Sequence, residues 1–312
     1  MTRVVIPDPP AGVPASIGDW MARSKGIIRD RGFPYDQGRA GHAVPLLDEA
    51  NTWSGVQTFR AGTLAGPGLA GAVPGYLFGM TLANDVGTPN TVLDVAAGVC
   101  VDSTATTLIS LGAMTKSIGG AWARGSGAGG MGNGLTATAS TWYHAHAILN
   151  GGAADWYLDT SVTAANKPAG TTAIRRLGSV RLDGSVHILA FVQNGDEFLW
   201  ATTVADIAAA TLTTANRTLY TLTTPPGVKC NALFRGLGAN VGAGDTIWFT
   251  SPDESDQAAA STADIQSIAA SNAGGRFSVR TNTASQIGAR AANASTTLSI
   301  GTFGWIDARG RT

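Results

Sequence analysis

Two histidines one residue apart, His144-Ala145-His146, are the densest concentration of chemically capable side chains in the sequence. On a β-strand alternate side chains share a face, so both imidazoles point the same way. Repeated about a threefold axis, three such pairs would offer six nitrogens to a first-row metal. The competing reading, which is favoured, places two polar histidines on a solvent face or at a subunit interface. Carboxylates come next. Asp196-Glu197 beside Trp200, with Asp155 and Asp159, are the residue types that glycoside hydrolysis uses in pairs; equally, they suit a polar turn before a strand. Gly125-Ser126-Gly127-Ala128-Gly129-Gly130 formally satisfies G-x-G-x-x-G. A dinucleotide site needs a helix after that run, and Met131-Gly132-Asn133-Gly134 breaks one, so a glycine-rich surface loop is expected. No G-x-S-x-G elbow accompanies His42, His144, His146 and His187. The sequence is therefore read as non-enzymatic, with no cofactor.

Eight tryptophans, Trp20, Trp53, Trp122, Trp142, Trp156, Trp200, Trp248 and Trp305, offer a different chemistry. An exposed indole stacks on a sugar ring through its flat apolar face. Most must be core or subunit interface, and the expected glycan-contacting set is Trp122, Trp156, Trp200, Asp196 and Glu197, with Trp248 a further candidate. These are to sit at one distal end of the fold, where the turns at 125–133 and 194–197 gather. Charged residues make up only 13% of the chain and the formal net charge is zero, which argues against a nucleic-acid or anionic-membrane partner. No stretch approaches the roughly 18 apolar residues of a membrane span, and the N-terminus lacks signal-peptide character. Cys100 and Cys230 are too few for a disulfide framework and read as buried thiols, with a bridge as the alternative.

The elements that must position these groups begin after a distinct N-terminal segment. Residues 1–60 contain Pro7, Pro9, Pro10, Pro14, Pro34 and Pro45, six of the 13 prolines, which keeps the chain extended. One short helix is expected there, capped by Ser16, with Trp20, Ile27 and Ile28 as its apolar stripe. Such a helix cannot bury itself, so the segment reads as an arm that folds against another protein, through Trp20, Ile27, Ile28, Trp53 and Phe59. Residues 61–75, rich in Gly, Ala and Pro, form a linker or collar. From residue 76 the period becomes two. Tyr76, Phe78 and Met80 alternate with smaller residues, Val99 and Val101 flank Cys100, and Leu108, Ile109 and Leu111 precede a turn. Asp183-Gly184 and Asn194-Gly195 are the strongest hairpin signals. Further strands are expected at 217–223, 229–237, 246–250, 276–281 and 297–306, while 204–215 and 262–271 read as helix or loop. The fold class is mainly β, an antiparallel jelly-roll-like sandwich over 76–312, with sub-halves 76–204 and 205–312 as the alternative division.

Four strings, in order, resemble one family: Trp142-Tyr143-His144-Ala145-His146-Ala147-Ile148-Leu149, Asp155-Trp156-Tyr157-Leu158-Asp159-Thr160, Arg175-Arg176-Leu177-Gly178-Ser179-Val180 and Phe191 to Trp200. With the glycine run upstream and Gly304-Trp305-Ile306-Asp307-Ala308-Arg309-Gly310-Arg311 at the end, they resemble the β-rich head of tailed-bacteriophage fibre and appendage proteins. The stretch Leu47 to Phe59 is similar to a short motif of phage fibres where anchor gives way to shaft or head. The resemblance implies a virion protein made in the bacterial cytoplasm, a homotrimeric head, and attachment by residues 1–60 to a tail, baseplate or neck protein. It leaves two functions open: an adhesin for host-surface polysaccharide, or a collar, neck-fibre or decoration subunit with no host contact.

Overall fold

The computed structural model describes residues 74–311 except 242–244, 259, 261 and 267–270, all within the unit Leu64–Thr312. The regular elements among them are strands. The first half holds β1 (Leu77–Gly79), β2 (Leu82–Asn84), β3 (Val92–Val95), β4 (Gly98–Val101), β5 (Leu108–Leu111), β6 (Met114–Ala121), β7 (Ala128–Met131), β8 (Trp142–Asn150), β9 (Ala153–Asp159) and β10 (Thr171–Arg181). The second holds β11 (Phe191–Asn194), β12 (Glu197–Thr211), β13 (Thr218–Thr221), β14 (Asn231–Val241), β15 (Thr246–Thr250), β16 (Ile265–Gln266), β17 (Ser271–Arg280), β18 (Gln286–Ala291) and β19 (Thr297–Ile306).

Each half pairs two sheets. In the first, a three-stranded sheet β1-β4-β5 faces the seven-stranded β10-β8-β9-β7-β6-β3-β2. Leu77, Cys100, Ile109 and Leu111 of the small sheet share a core with Leu82, Leu93, Tyr143, Ala145, Leu158 and Leu177 of the large one. In the second, β11-β12-β19-β14-β17 and β13-β18-β15-β16 enclose Phe234, Leu298 and Ile300 from one side and Ile247, Phe249, Ile287 and Ala289 from the other. Burying one apolar face of each sheet against a partner is what makes such layers stable.

The halves are joined by aromatic packing. Phe198 and Trp200 of β12 and Trp305 of β19 belong to the first core although their strands continue into the second. Phe198 stacks on Trp305 at 4.9 Å, Trp200 lies 4.9 Å from Trp305, and Trp142 of β8 meets Trp305 edge-on at 5.6 Å. Gly178 makes room for this junction, since a Cβ there would stand 2.8 Å from Phe198 Cζ.

The expected strands at 246–250 and 297–306 coincide with β15 and β19. The Asn194-Gly195 hairpin is present: Asn194 pairs with Glu197 and Gly195 takes φ +59°, the left-handed value a two-residue turn requires. At Asp183-Gly184 the turn is closed by Asp183, whose Oδ1 accepts the Ser185 and His187 amides, and by a Leu182–Ile188 bridge.

Four expectations change. The stretch from 204, read as helix or loop, is strand to Thr211, because its Ala/Thr run pairs along β19. From 262 the described residues give a turn and the two-residue β16, not a helix. The sheets are not wholly antiparallel: β7 runs parallel to both β6 and β9. At the entry to the fold Leu77 faces inward while Tyr76 and Phe78 are exposed, and Met80 is nevertheless buried because Gly79 and Met80 both adopt positive φ and break the alternation. The anchoring residues Trp20, Ile27, Ile28, Trp53 and Phe59, and the expected helix, lie outside the described residues.

Candidate functional site

The tryptophan surface expected from the sequence is not present as such. Trp156 is fully buried in β9, and Trp200 is 6% exposed with its Nε1 donating to the Thr223 carbonyl at 3.3 Å. Neither has a ring face free for a sugar. Trp122 is half-buried, donates to the Trp156 carbonyl at 3.1 Å and lies 5.4 Å from the Lys116 ammonium; Trp248 is also half-buried. The expected distal cluster is also split. Trp142, which packs on Trp200, sits at one end of β8, whereas Ala147 of the same strand pairs with Trp156, a separation of about 17 Å along the strand.

The run at 125–133, expected as a glycine-rich surface loop, is so only at its start: Ala128–Met131 is the interior strand β7, and the turn that leads into it is pinned. Lys116 of β6, fully buried, pairs with Asp155 at 3.0 Å and donates to the carbonyls of Ala123 and Gly125. Asp155 in turn accepts the Gly125 amide at 2.9 Å. Burial pulls the Lys116 ammonium below its ordinary value, against the opposing pull of Asp155. Gly129 lets β7 approach β6, because a Cβ there would be 2.2 Å from the Ala121 carbonyl oxygen. Asp159 is likewise occupied, accepting from Tyr157, the Ser161 amide and Asn166. The carboxylates considered for paired acid–base work thus serve separate structural contacts.

His144 and His146 do share a face, as alternation requires, but that face is covered within the protomer. Each is 1% exposed, which corrects both the threefold metal cage and the solvent or interface reading. His144 Nδ1 lies 2.8 Å from Ser179 Oγ; His146 stacks on Tyr157 and holds the Ser161 carbonyl at 3.1 Å through Nε2. Burial lowers the His144 pKa to about 3, helped by the Arg176 charge, and that of His146 to about 4. Both rings are neutral at pH 7. Among the described residues no group of three His, Cys, Asp or Glu is placed to hold a metal. Cys100 and Cys230 are separate buried thiols, each pushed up to about 12 by burial.

Part of this face is covered by Tyr157 and the segment 161–164, and the rest by the C-terminal segment. Arg176, paired across the ladder with His146, forms a two-pronged ion pair with Asp307 at 2.7 and 2.6 Å. Burial alone would raise the Asp307 carboxyl, but Arg176 and the Arg309 amide outweigh it and hold the carboxyl below its usual range. Arg309 and Gly310 both take positive φ, which turns the chain back over the strands. Arg309 Nε then reaches Asp196 at 3.2 Å, and Arg311 pairs with the same carboxylate. Asp196 and Glu197, expected at a glycan site, therefore divide: Asp196 anchors the tail, and Glu197 is an ordinary half-buried member of β12.

Beside the tail is a cavity of about 330 Å³ lined by His146, Ala164, Arg175, Arg176 and Arg309, with Ser103, Thr163 and Gly310 exposed at its rim. Arg175, 3% exposed, donates to the Gly75 carbonyl at 3.3 Å. Sequence reasoning missed Arg175, Arg176, Asp307 and Arg309 as site residues. A signal existed: in a chain with 13% charge, adjacent arginines inside an apolar strand must find buried partners. No protein-family model matches the chain, and no curated protein matches it.

Proposed function

We propose that the chain is a structural protein of a tailed-bacteriophage virion, a tail fibre or similar appendage. In this reading residues 1–60 attach it to a tail, baseplate or neck protein, and a jelly-roll-like, homotrimeric head contacts host-surface glycan. One observation carries it. The strings Arg175–Val180 and Trp305–Arg311, two of the pieces on which the phage resemblance rests, are joined 131 residues apart by the Arg176–Asp307 pair. The ordered motifs therefore belong to one packed unit, as the signature of a single head domain should. Trimer formation is supported by the outer face of the three-stranded sheet, where Tyr76, Phe78 and Leu108 are exposed together; an apolar sheet face of this kind favours burial against copies of the chain.

The second reading, a collar, neck-fibre or decoration subunit without host contact, is favoured by the burial of Trp156 and Trp200. Two measurements separate the possibilities. Particles purified from cells carrying the gene should contain the protein in stoichiometric amount by mass spectrometry and show it by immunogold labelling; its absence from particles removes both virion readings. Purified protein added before infection should reduce adsorption if it is an adhesin, and unchanged adsorption favours the collar reading.

A further inference from the structure

We propose that the outer face of β14 and β17 binds an acidic polysaccharide chain, with its carboxylates held by arginines and its sugar rings resting on Phe303. Among the described strands β17 is the edge of its sheet, beside β14 and then β19. The β14–β17 pairing runs without a shift from Asn231–Arg280 to Gly238–Ala273, so Arg276 and Arg280 share one face. Phe277 and Val279, on the opposite face, pack on the apolar core, which makes the arginine face the outer one. Arg235 stands directly across from Arg276, and both side chains are exposed. Phe303 completes the group, its ring centroid 5.9 Å from the Arg235 guanidinium and 5.3 Å from that of Arg276. A bulge puts the ring there. Leu233 and Phe234 are consecutive in β14 but pair with Gly304 and Thr302, and β12 also skips Phe303, so this residue has no ladder partner on either side. Bulges of this kind re-aim a side chain.

The chemistry of the ligand follows from charge. Like charges placed directly opposite on neighbouring strands repel, and among the described residues no carboxylate pairs with Arg235 or Arg276; the contact they share is the Phe303 ring. Strands β14, β17 and β19 contain no aspartate or glutamate. At the other end of the face Arg280 and Lys229 line a cavity of about 520 Å³ and share the single carboxylate of Asp253. Positive charge is therefore in excess at both ends. Arg276 and Arg280, four residues apart on one strand, are separated by about 13 Å, a spacing that suits an anionic chain laid along the strand over a lone small anion. A planar carboxylate fits the guanidinium fork. Exposed Leu237, next after Arg235 on the same face, and the accessible part of the Phe303 ring offer apolar surface to sugar C–H groups.

This deepens the host-glycan reading above and rests on it for the choice of a saccharide. The test is calorimetric titration of the purified full chain at pH 7 with hexagalacturonate, its methyl ester and hexaglutamate. Hexagalacturonate should bind. The ester, which keeps the sugar and loses the charge, should bind at least about tenfold more weakly. Hexaglutamate, which keeps the carboxylates and lacks the ring, should bind at least about threefold more weakly. The double variant Arg235→Thr, Arg276→Thr should weaken hexagalacturonate binding at least about tenfold, with the unfolding temperature and the light-scattering mass unchanged because both side chains are exposed. The proposal is overturned if hexagalacturonate does not bind, if the ester or hexaglutamate binds as tightly, or if the double variant binds as the parent does. A changed mass in that variant also overturns it, since the face would then join copies of the chain. Hexagalacturonate binding by a protein that fails to block adsorption upholds the site and sinks only the adhesin reading. Blocking of adsorption without hexagalacturonate binding overturns the site and leaves that reading in place.

Discussion

The two halves of this protein solve the same packing problem with opposite chemistry. In the second half, Phe234, Phe249 and Phe277 meet with centroids 4.9 to 5.7 Å apart in an apolar cluster with no buried ion pair among its members. In the first, the sheet is covered on both faces: β8 buries Tyr143, Ala145 and Ala147 in the apolar core and His144, His146 and Ile148 on the other side. The second covering layer adds polar groups, Arg176, Asp307, Ser179 and two neutral histidines, to a small apolar cluster of Ile148, Tyr157 and Ala164. An apolar core tolerates changes of solution conditions. A buried polar layer does not, because each member depends on the protonation and position of the others. The half that carries the candidate pocket is therefore the half that should respond to pH and to single charge deletions.

The largest expected effect is acid sensitivity. His144 and His146 have folded pKa values of about 3 and about 4 against an ordinary 6.5. The stability tied to keeping them neutral is fully present above pH 6.5 and is lost as pH falls from 6.5 toward 4, because the unfolded chain binds the protons first. Chemical denaturation should show a loss on the order of 5 kcal/mol over that window, and the double variant His144→Gln, His146→Gln should flatten it. A flat profile in the parent protein would contradict the buried neutral pair.

Next in size is the junction. Trp305→Ala removes the ring on which Phe198, Trp200 and Trp142 all pack and should cost about 4 kcal/mol, read as a lower denaturant midpoint. Because both halves share this contact, its loss should uncouple them and split the transition in two. A transition that stays single would show that the halves are not coupled through it. The smallest effect belongs to the apolar half: Phe249→Leu should cost about 1 kcal/mol, with the same pH dependence as the parent.

How far the sequence discloses this contrast depends on the residue. β15 and β19 were legible because both are short runs rich in β-branched and aromatic residues, Ile247, Trp248 and Phe249 in one and Ile300, Phe303 and Trp305 in the other. The hairpin at Gly195 was legible from turn chemistry alone. The strand character of 204–211 was not, since an Ala/Thr run has no period and acquires its structure from β19, some 90 residues later. The parallel β6–β7–β9 arrangement was hidden for a related reason: Gly129 and Gly130 record a close approach only once the neighbouring strand is known. Tryptophan identity does not say which side of a sheet is covered, so Trp156 and Trp200 read as ligand contacts when they are core. The histidines were correctly placed on one face. What could not be read was that Asp307, Arg309 and Gly310 would return to close it.

The most direct test of the two-chemistry account is hydrogen–deuterium exchange on Asp307→Asn. Losing the carboxylate that Arg176 grips should loosen the polar layer and leave the phenylalanine core alone. The account predicts faster exchange at 143–148 and 175–181, with 232–237 and 247–250 unchanged. Equal acceleration in both halves, or none in either, would contradict it.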